Sequence, residues 1–448
     1  MNRQIKVLLT VFVILMLAIV ANLSWLQIFG ADGIQANGAN KRRLVRQYAI
    51  ERGDILSADG QVVAGTVDTG TEYRYQRQYP MGSLFAAVTG YDSWKYGRTG
   101  LEKTFNDELL GSGGKLTIRG IGNRLVGNSK KGNSIVMTAD ARVQQTAVEA
   151  LGGRPGAVVA MDPRTGKVLA MVTSPTYNPN SAVPASGGDR QAQWDAFNGD
   201  PARPLFNRAT SGLYPPGSSF KVVTGAAAVD QGIVNPETPF DCPGRFVVDG
   251  YAIYDFNKKT HGSLTFAQAM AVSCNITFAQ VGLQLGAPAL VEYAEMFGFN
   301  RLTPFDLPGA VSRIQEAATM DRVQLATAAF GQGGDLATPL QMAMVASTIA
   351  NGGILMKPYL VDEVKDYNNK VLDKRGPRQL RRVVDRKTAE TVRDMMVDVV
   401  KRGTGTAARI DGVLVAGKTG TAEVENGDPH AWFVCFAPAE DPTVAVAV

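Results

Sequence analysis

The stretch Tyr214-Pro215-Pro216-Gly217-Ser218-Ser219-Phe220-Lys221, followed by the small apolar run Val222 to Ala228, places a chain break and a helix start at one point. Two prolines and a glycine cannot continue a helix, whereas the residues after them have helix-compatible spacing, so a helix is expected from about Ser218. Residues three apart share a helix face, which turns Ser218 and Lys221 the same way at its N-terminal end. A serine hydroxyl becomes a nucleophile when a base takes its proton. A lysine desolvated by apolar neighbours has a lowered pKa and can be that base. Backbone N–H groups at the helix start can stabilise a developing oxyanion. The plainer alternative is a capping serine beside a solvated lysine, and the pattern alone leaves both open. A second match, Ser112-Gly113-Gly114-Lys115, is a loop by its glycines.

At about 150 residues per domain, 448 residues suggest two or three domains. The composition, 45% hydrophobic and 19% charged, is that of a globular protein. A net charge of +5 is modest for this length and argues against a dedicated nucleic-acid binder. Two histidines, His261 and His430, leave little scope for a His-rich metal site or a Ser-His-Asp triad. Cys242, Cys274 and Cys435 show no metal-type spacing, and their odd number leaves at least one unpaired within the chain. They read as buried, unreactive thiols, and no cofactor or metal is expected.

Val7 to Gly30 runs 24 residues without a charge, enough to cross a hydrocarbon core of about 30 Å. Arg3 and Lys6 precede it, and Trp25 suits the far interface. A cleavable signal peptide is the competitor, but the apolar run continues to Phe29, which favours an anchor. Lys41, Arg42 and Arg43 oppose the positive-inside rule at the far end. The expected topology is nevertheless a single pass with the N-terminus cytoplasmic and the bulk of the chain outside the cytoplasmic membrane.

Residues 31–153 are polar, glycine-rich and broken into short strand-like pieces. They include Arg52-Gly53-Asp54-Ile55 and Asp59 to Ala64 around an Asp-Gly turn, and a hairpin-and-loop region from Gly111 to Gly132. Ala141 to Leu151 has helical spacing, with Val143, Ala147 and Leu151 on one face. Gly152 to Gly156, with Pro155, then marks a boundary. Beyond it, Ala157–Met161 and Lys167–Val172 flank a turn and read as a buried antiparallel hairpin. Helices are expected from Ser218 to about Gly353, a solvated basic loop at Lys374 to Arg382, and strands at Gly412 to Ala416 and Ala431 to Phe436. Strands first, helices in the middle and strands last imply an α+β domain over 154–448.

Two further clusters lie downstream of Ser218. Ser273-Cys274-Asn275 can aim a proton-relaying hydroxyl and an amide into one cleft if the backbone turns tightly there. Lys418-Thr419-Gly420-Thr421 at a sheet edge would present an ammonium and two hydroxyls to an anionic substrate, with glycine allowing close approach. A rival shares these residues, since Gly412 to Thr419 fits the P-loop pattern letter for letter. A P-loop needs a strand before its first glycine and a helix after its lysine. Here the intervening Val-Leu-Val-Ala is itself strand-like, which argues against nucleotide binding.

S-x-x-K, S-x-N and K-T-G in this order form the set shared by penicillin-binding proteins and class A β-lactamases, and the chain resembles a class B penicillin-binding protein over nearly its whole length. Arg52-Gly53-Asp54-Ile55 and Gly97-Arg98-Thr99-Gly100-Leu101-Glu102 resemble elements of that family's non-catalytic domain. Phe330-Gly331-Gln332-Gly333, Thr338 to Ala343, Asn351-Gly352-Gly353 and His430-Ala431-Trp432-Phe433 are similar to its transpeptidase domain. The N-terminal domain of about 120 residues is short for the class and most like the penicillin-binding protein A type. The resemblance implies three parts: an anchor (1–30), a small mostly-β pedestal (31–153) and a penicillin-binding/β-lactamase-like domain with an antiparallel sheet flanked by helices (154–448).

By the same resemblance, Ser218 is the acylated nucleophile, Lys221 its base and Ser273 a proton relay. Asn275 holds the substrate's peptide amide, and Lys418, Thr419, Gly420 and Thr421 meet its carboxylate end. Backbone N–H groups of Ser218 and Thr421 form the oxyanion hole. The implied activity is D,D-transpeptidation of peptidoglycan stem peptides ending in D-Ala-D-Ala, in division or cell-shape wall synthesis beside a membrane glycan polymerase, with β-lactams as inhibitors. A β-lactamase or β-lactam sensor and a non-catalytic scaffold are the alternatives. The family's last strand is normally followed by a helix, whereas this sequence stops within Val444 to Val448, which suggests truncation.

Overall fold

The computed structural model describes residues 2–28, 41–111, 131–183, 189–423 and 428–448. The glycine-rich Ser112 to Lys115 match and nearly all of the expected Gly111–Gly132 hairpin lie outside them. Helix α1 (Asn2–Ile28) carries the uncharged run as far as Ile28. Its segment Arg3–Trp25 has a mean hydropathy of 2.7 with none of it buried, long and apolar enough to cross a membrane.

Strands β1 (Ile55–Leu56), β2 (Val62–Asp68), β3 (Tyr75–Gln78) and β4 (Ser134–Met137) form most of a first sheet. β1 and β2 pair antiparallel around the Asp59-Gly60 turn, as their alternating sequence requires. Helix α2 (Ala141–Leu151) follows. It differs from expectation in its facing: Val143 is exposed, and Gln144 turns inward. The Gln144 amide is satisfied there by Leu84 O, Met171 O and Met171 N, which makes a polar residue a good interior one.

β5 (Gly156–Met161) and β6 (Val168–Ser174) form the expected buried antiparallel hairpin. The middle of the chain is helical, with α3 (Lys221–Asp230), α4 (Phe266–Val272), α5 (Asn275–Leu285) and α6 (Pro339–Ala350). A small excursion of short strands from Pro239 to Thr265 interrupts it.

Lys374 to Arg382 is not a plain loop. Its ends belong to strands: β7 (Val361–Lys365) and β8 (Val371–Lys374) form a hairpin whose first strand pairs with β4, and Gln379–Arg382 pairs antiparallel with Ile354–Met356. The first sheet thus runs β8-β7-β4-β1-β2-β3 and is completed by residues more than 200 positions downstream of β4. Tyr367-Asn368-Asn369 sits in the turn of that hairpin, with Tyr367 and its neighbours exposed.

After α7 (Arg386–Arg402), strands β9 (Ala416–Ala422), β10 (His430–Ala437) and β11 (Val444–Ala447) return to the second sheet, in the order β9-β10-β11-β5-β6. Both ends of the segment therefore build one sheet, as the pattern implied. The expected strand at Gly412 to Ala416 is displaced: pairing begins only at Ala416↔Phe436 and runs to Ala422↔His430. The apolar Val413 to Val415 instead packs as a loop whose Leu414 carbonyl accepts from Ala439 N–H. One contiguous apolar core joins the inner faces of both sheets to α3, α5, α6 and α7.

Candidate active site

Pro215 and Pro216 end the preceding segment. The turn at Ser218 is a 3-10 helix (Gly217–Phe220) that runs into α3, so regular α-helix begins at Lys221 rather than at Ser218. Gly217 has φ +50°, a backbone conformation that side chains disfavour, and a Cβ there would lie 2.7 Å from Thr421 O. Its N–H donates to Gly331 O at 2.9 Å. A Cβ on Gly420 would meet Pro216 O and Ser219 N at 3.0 Å. Trp432 Nε1 donates to Pro215 O at 2.9 Å. The turn bearing the half-buried Ser218 is thus clamped between β9, β10 and the Phe330–Gly333 loop.

Lys221 is fully buried. Its Nζ lies 2.7 Å from Ser273 O, 2.8 Å from Asn275 Oδ1 and 3.2 Å from Ser273 Oγ. The rings of Phe278 and Phe330 stand 5.3 and 5.9 Å away. Burial drives its pKa down to about 7, against a smaller opposing pull from Cys274, Asp255 and Cys242. Ser273 holds the tight turn the sequence required: it closes α4 with φ 62°, and Asn275 opens α5 two residues later. Asn275 is fixed from both sides, its N–H donating to Asp255 Oδ1 and its Nδ2 to Tyr254 O.

β9 is the free edge strand of the second sheet, so the Lys418 cluster is the edge strand itself rather than the loop after one. That geometry excludes the P-loop alternative: Gly417 and Lys418 are paired strand residues, with no helix after them among the described residues. Strand alternation turns Lys418 and Gly420 to the core face and Thr419 and Thr421 to the other. Lys418 Nζ donates to Ser273 Oγ and to Thr419 O, both at 2.9 Å. Burial and the neighbouring Lys221 hold its pKa well below the usual lysine range. Thr421 is exposed at the edge.

The residues singled out from sequence therefore converge, with Ser273 Oγ bridging the two lysines. Among the described residues Ser218 Oγ makes no side-chain hydrogen bond, and catalytic contacts of this kind are often loose without substrate. Sequence reasoning missed Thr404, whose Oγ1 shares a 2.5 Å hydrogen bond with Thr419 Oγ1, and Asp255, which orients Asn275. Neither carries a local motif, because loops distant in sequence deliver both.

The model of the penicillin binding protein transpeptidase domain matches residues 156–448, and that of the penicillin binding protein A dimerisation domain matches 52–135. The peptidoglycan D,D-transpeptidase PbpA of Mycolicibacterium smegmatis is 38% identical over all of this chain and 93% of its own length. Its Mycobacterium tuberculosis counterpart is 36% identical with the same coverage. The solved imipenem acyl-enzyme complex of penicillin-binding protein A from M. tuberculosis superposes with a TM-score of 0.84 at 36% identity, over 90% of this chain and 94% of that one. A D,D-transpeptidase domain from Eggerthella lenta gives 0.79 at 41% identity, over 89% and 93%. With a clamped serine, two buried lysines sharing one serine hydroxyl, and family matches along both sheets, the chain belongs to the penicillin-binding proteins of the D,D-transpeptidase family.

Proposed function

We propose that the chain is a membrane-anchored serine D,D-transpeptidase that cross-links peptidoglycan stem peptides through an acyl-enzyme on Ser218. The observation that carries this reading is Lys221, a fully buried lysine hydrogen-bonded to neutral partners, whose burial drives its pKa down to about 7. As a neutral amine it donates to Ser273 O and Asn275 Oδ1, which leaves its lone pair to take a proton.

Ser218 Oγ attacks the carbonyl of the penultimate D-Ala while Lys221 accepts its proton, and backbone N–H groups of Ser218 and Thr421 hold the oxyanion. Ser273, in contact with both lysines, passes a proton to the nitrogen of the departing D-Ala. The C–N bond breaks and the acyl group stays on Ser218. A neighbouring stem peptide's amine then attacks, its proton returns along the same path, and Ser218 is released. Lys418, with Thr419, Gly420 and Thr421 along the free edge, supports the substrate's terminal carboxylate, and Asn275 its peptide amide. A β-lactam, whose strained amide imitates D-Ala-D-Ala, is held as the acyl-enzyme.

Helix α1 supplies the anchor, with the N-terminus cytoplasmic and the catalytic domain outside, where the wall substrate lies. The division of the chain at about residue 153 follows the same reading, as do a role in division or cell-shape synthesis and work beside a glycan polymerase. Intact-protein mass after incubation with penicillin tests it. A lasting adduct on the wild-type chain that is absent from Ser218→Ala supports transpeptidation. An adduct that clears within seconds indicates a β-lactamase, and no adduct on folded wild type refutes the catalytic reading.

A further inference from the structure

The excursion of short strands between Pro239 and Thr265 borders the site. Its central hairpin pairs Arg245–Val248 with Tyr251–Tyr254, so Arg245 stands directly opposite Tyr254 on one face. The excursion meets the site through Asn275, whose Nδ2 donates to Tyr254 O at 3.1 Å and whose N–H donates to Asp255 Oδ1. The edge strand meets it through Ser273 instead, by way of Lys418 Nζ.

Asp255 keeps an extended backbone, with φ −75° and ψ 162°, so the alternation of the strand continues through it. Asp255 turns inward and is 4% exposed, whereas Tyr254 and Phe256 turn outward, 38% and 65% exposed. Asn257 and Lys258 both adopt positive φ, 55° and 54°, a conformation that residues other than glycine rarely hold. Lys258 Nζ lies over the Tyr254 ring, 5.3 Å from its centroid, and Lys259 and Arg245 are exposed. Among the described residues none of these three cations forms an ion pair, and the carboxylate at the hairpin's tip, Asp249, is taken by Arg322 at 3.4 Å. Two open aromatic rings framed by three uncompensated cations suit an anionic, partly apolar ligand.

We propose that this face, formed by Arg245, Tyr254, Phe256, Lys258 and Lys259, binds the acceptor stem peptide of the second acyl transfer, an inference that rests on the transpeptidase reading. The chemistry of the two substrates divides the charges. Both are stem peptides with a terminal carboxylate, and the donor's is assigned to Lys418. The acceptor keeps its own carboxylate throughout, since only its amine reacts, and it needs a second cationic place beside the acyl ester. Arg245, Lys258 and Lys259 supply that place, and the rings of Tyr254 and Phe256 cover the apolar part of the peptide. The held amine then attacks the Ser218 ester carbonyl: the C–N bond forms, the C–O bond to Ser218 Oγ breaks, and the amine's proton passes to Oγ. A positioned amine outcompetes water, so the face sets how much of the acyl group goes to cross-linking and how much to hydrolysis.

The test gives the full chain, in detergent, a thioester donor that acylates Ser218. It then offers one of two acceptors, a stem peptide with one free amine and a free terminal carboxylate or the same peptide as its terminal amide. Aminolysis and hydrolysis products are quantified, and the wild-type chain should prefer the acid. Lys258→Glu combined with Lys259→Glu should raise the acid acceptor's half-saturating concentration by about tenfold or more and erase its preference over the amide. Phe256→Ala should weaken both acceptors alike and raise the hydrolysed share. Penicillin acylation needs no acceptor and should run at the wild-type rate in both variants. Unchanged acceptor dependence and acid preference in the variants would overturn the inference. A matching loss of penicillin acylation would overturn it too, by making the face a support for the Asn275 turn. A wild-type chain that penicillin does not acylate refutes the transpeptidase reading and this inference with it. One that is acylated but ignores the acceptor's carboxylate refutes the acceptor face alone.

Discussion

Buried charge is handled in opposite ways at the two ends of this molecule. In the first sheet region, Glu102 is fully buried between two arginines, with Arg52 Nε at 2.7 Å and Arg77 Nε at 2.6 Å. Arg52 also reaches Glu102 O and Asn106 Oδ1. At the Ser218 site two lysines are equally buried, yet among the described residues their hydrogen-bond partners are all neutral. A paired buried charge is held firmly, and removing one partner is costly. An unpaired buried cation gives up its proton instead. The first arrangement serves architecture, and on the proposed mechanism the second supplies a base.

Replacing each side separately should break the symmetry of that comparison. Lys221→Met is expected to slow penicillin acylation by about 10²–10⁴-fold, the usual worth of a general base, while raising stability at neutral pH because no amine has to be buried. Stopped-flow acylation and denaturant melts measure both. The sign follows from linkage: the folded-state pKa lies below the unfolded one, so wild-type stability climbs as pH rises from about 7 toward the ordinary lysine value. The variant should lack that slope. Glu102→Ala should do the reverse, losing about 3–5 kcal/mol because two arginines are left unpaired, with acylation by the folded fraction unchanged.

Two smaller tests sharpen the contrast. Asp335 is buried with neither carboxylate oxygen partnered among the described residues, and burial holds its pKa well above the carboxylate range. The native state keeps a proton that the unfolded chain releases, so stability falls as pH rises above about 4. Asp335→Asn should flatten that fall and add about 1 kcal/mol at neutral pH. Trp432→Phe removes the hydrogen bond to Pro215 O. It should cost about 0.5–1.5 kcal/mol and slow acylation modestly by loosening the Ser218 turn, as paired melts and acylation rates would show.

What sequence can and cannot convey follows the range of the interactions. Pro215-Pro216-Gly217 and the apolar run after it announce the Ser218 turn locally, and the β5–β6 hairpin is written in two apolar runs around Asp162 to Gly166. The edge strand is harder to place, because Val413-Leu414-Val415 has the stronger strand propensity, whereas pairing with β10 selects Ala416 to Ala422. Gln144 reads as a surface residue because only tertiary contacts supply its three partners. The β7–β8 hairpin is held in its sheet by pairing of β7 with the distant β4, which no local pattern records. The three clusters of the proposed site are legible as motifs, but the shared Ser273 hydroxyl and the Asp255 contact emerge only when the loops are folded together.

The most direct test of the account is the pH dependence of Ser218 acylation by penicillin under single-turnover conditions. If Lys221 must be neutral to act, the rate climbs with pH and levels off above a midpoint near 7, and that limb disappears in Lys221→Met. A rate that is flat or falling through this range in the wild-type chain would contradict the assignment of Lys221 as the base.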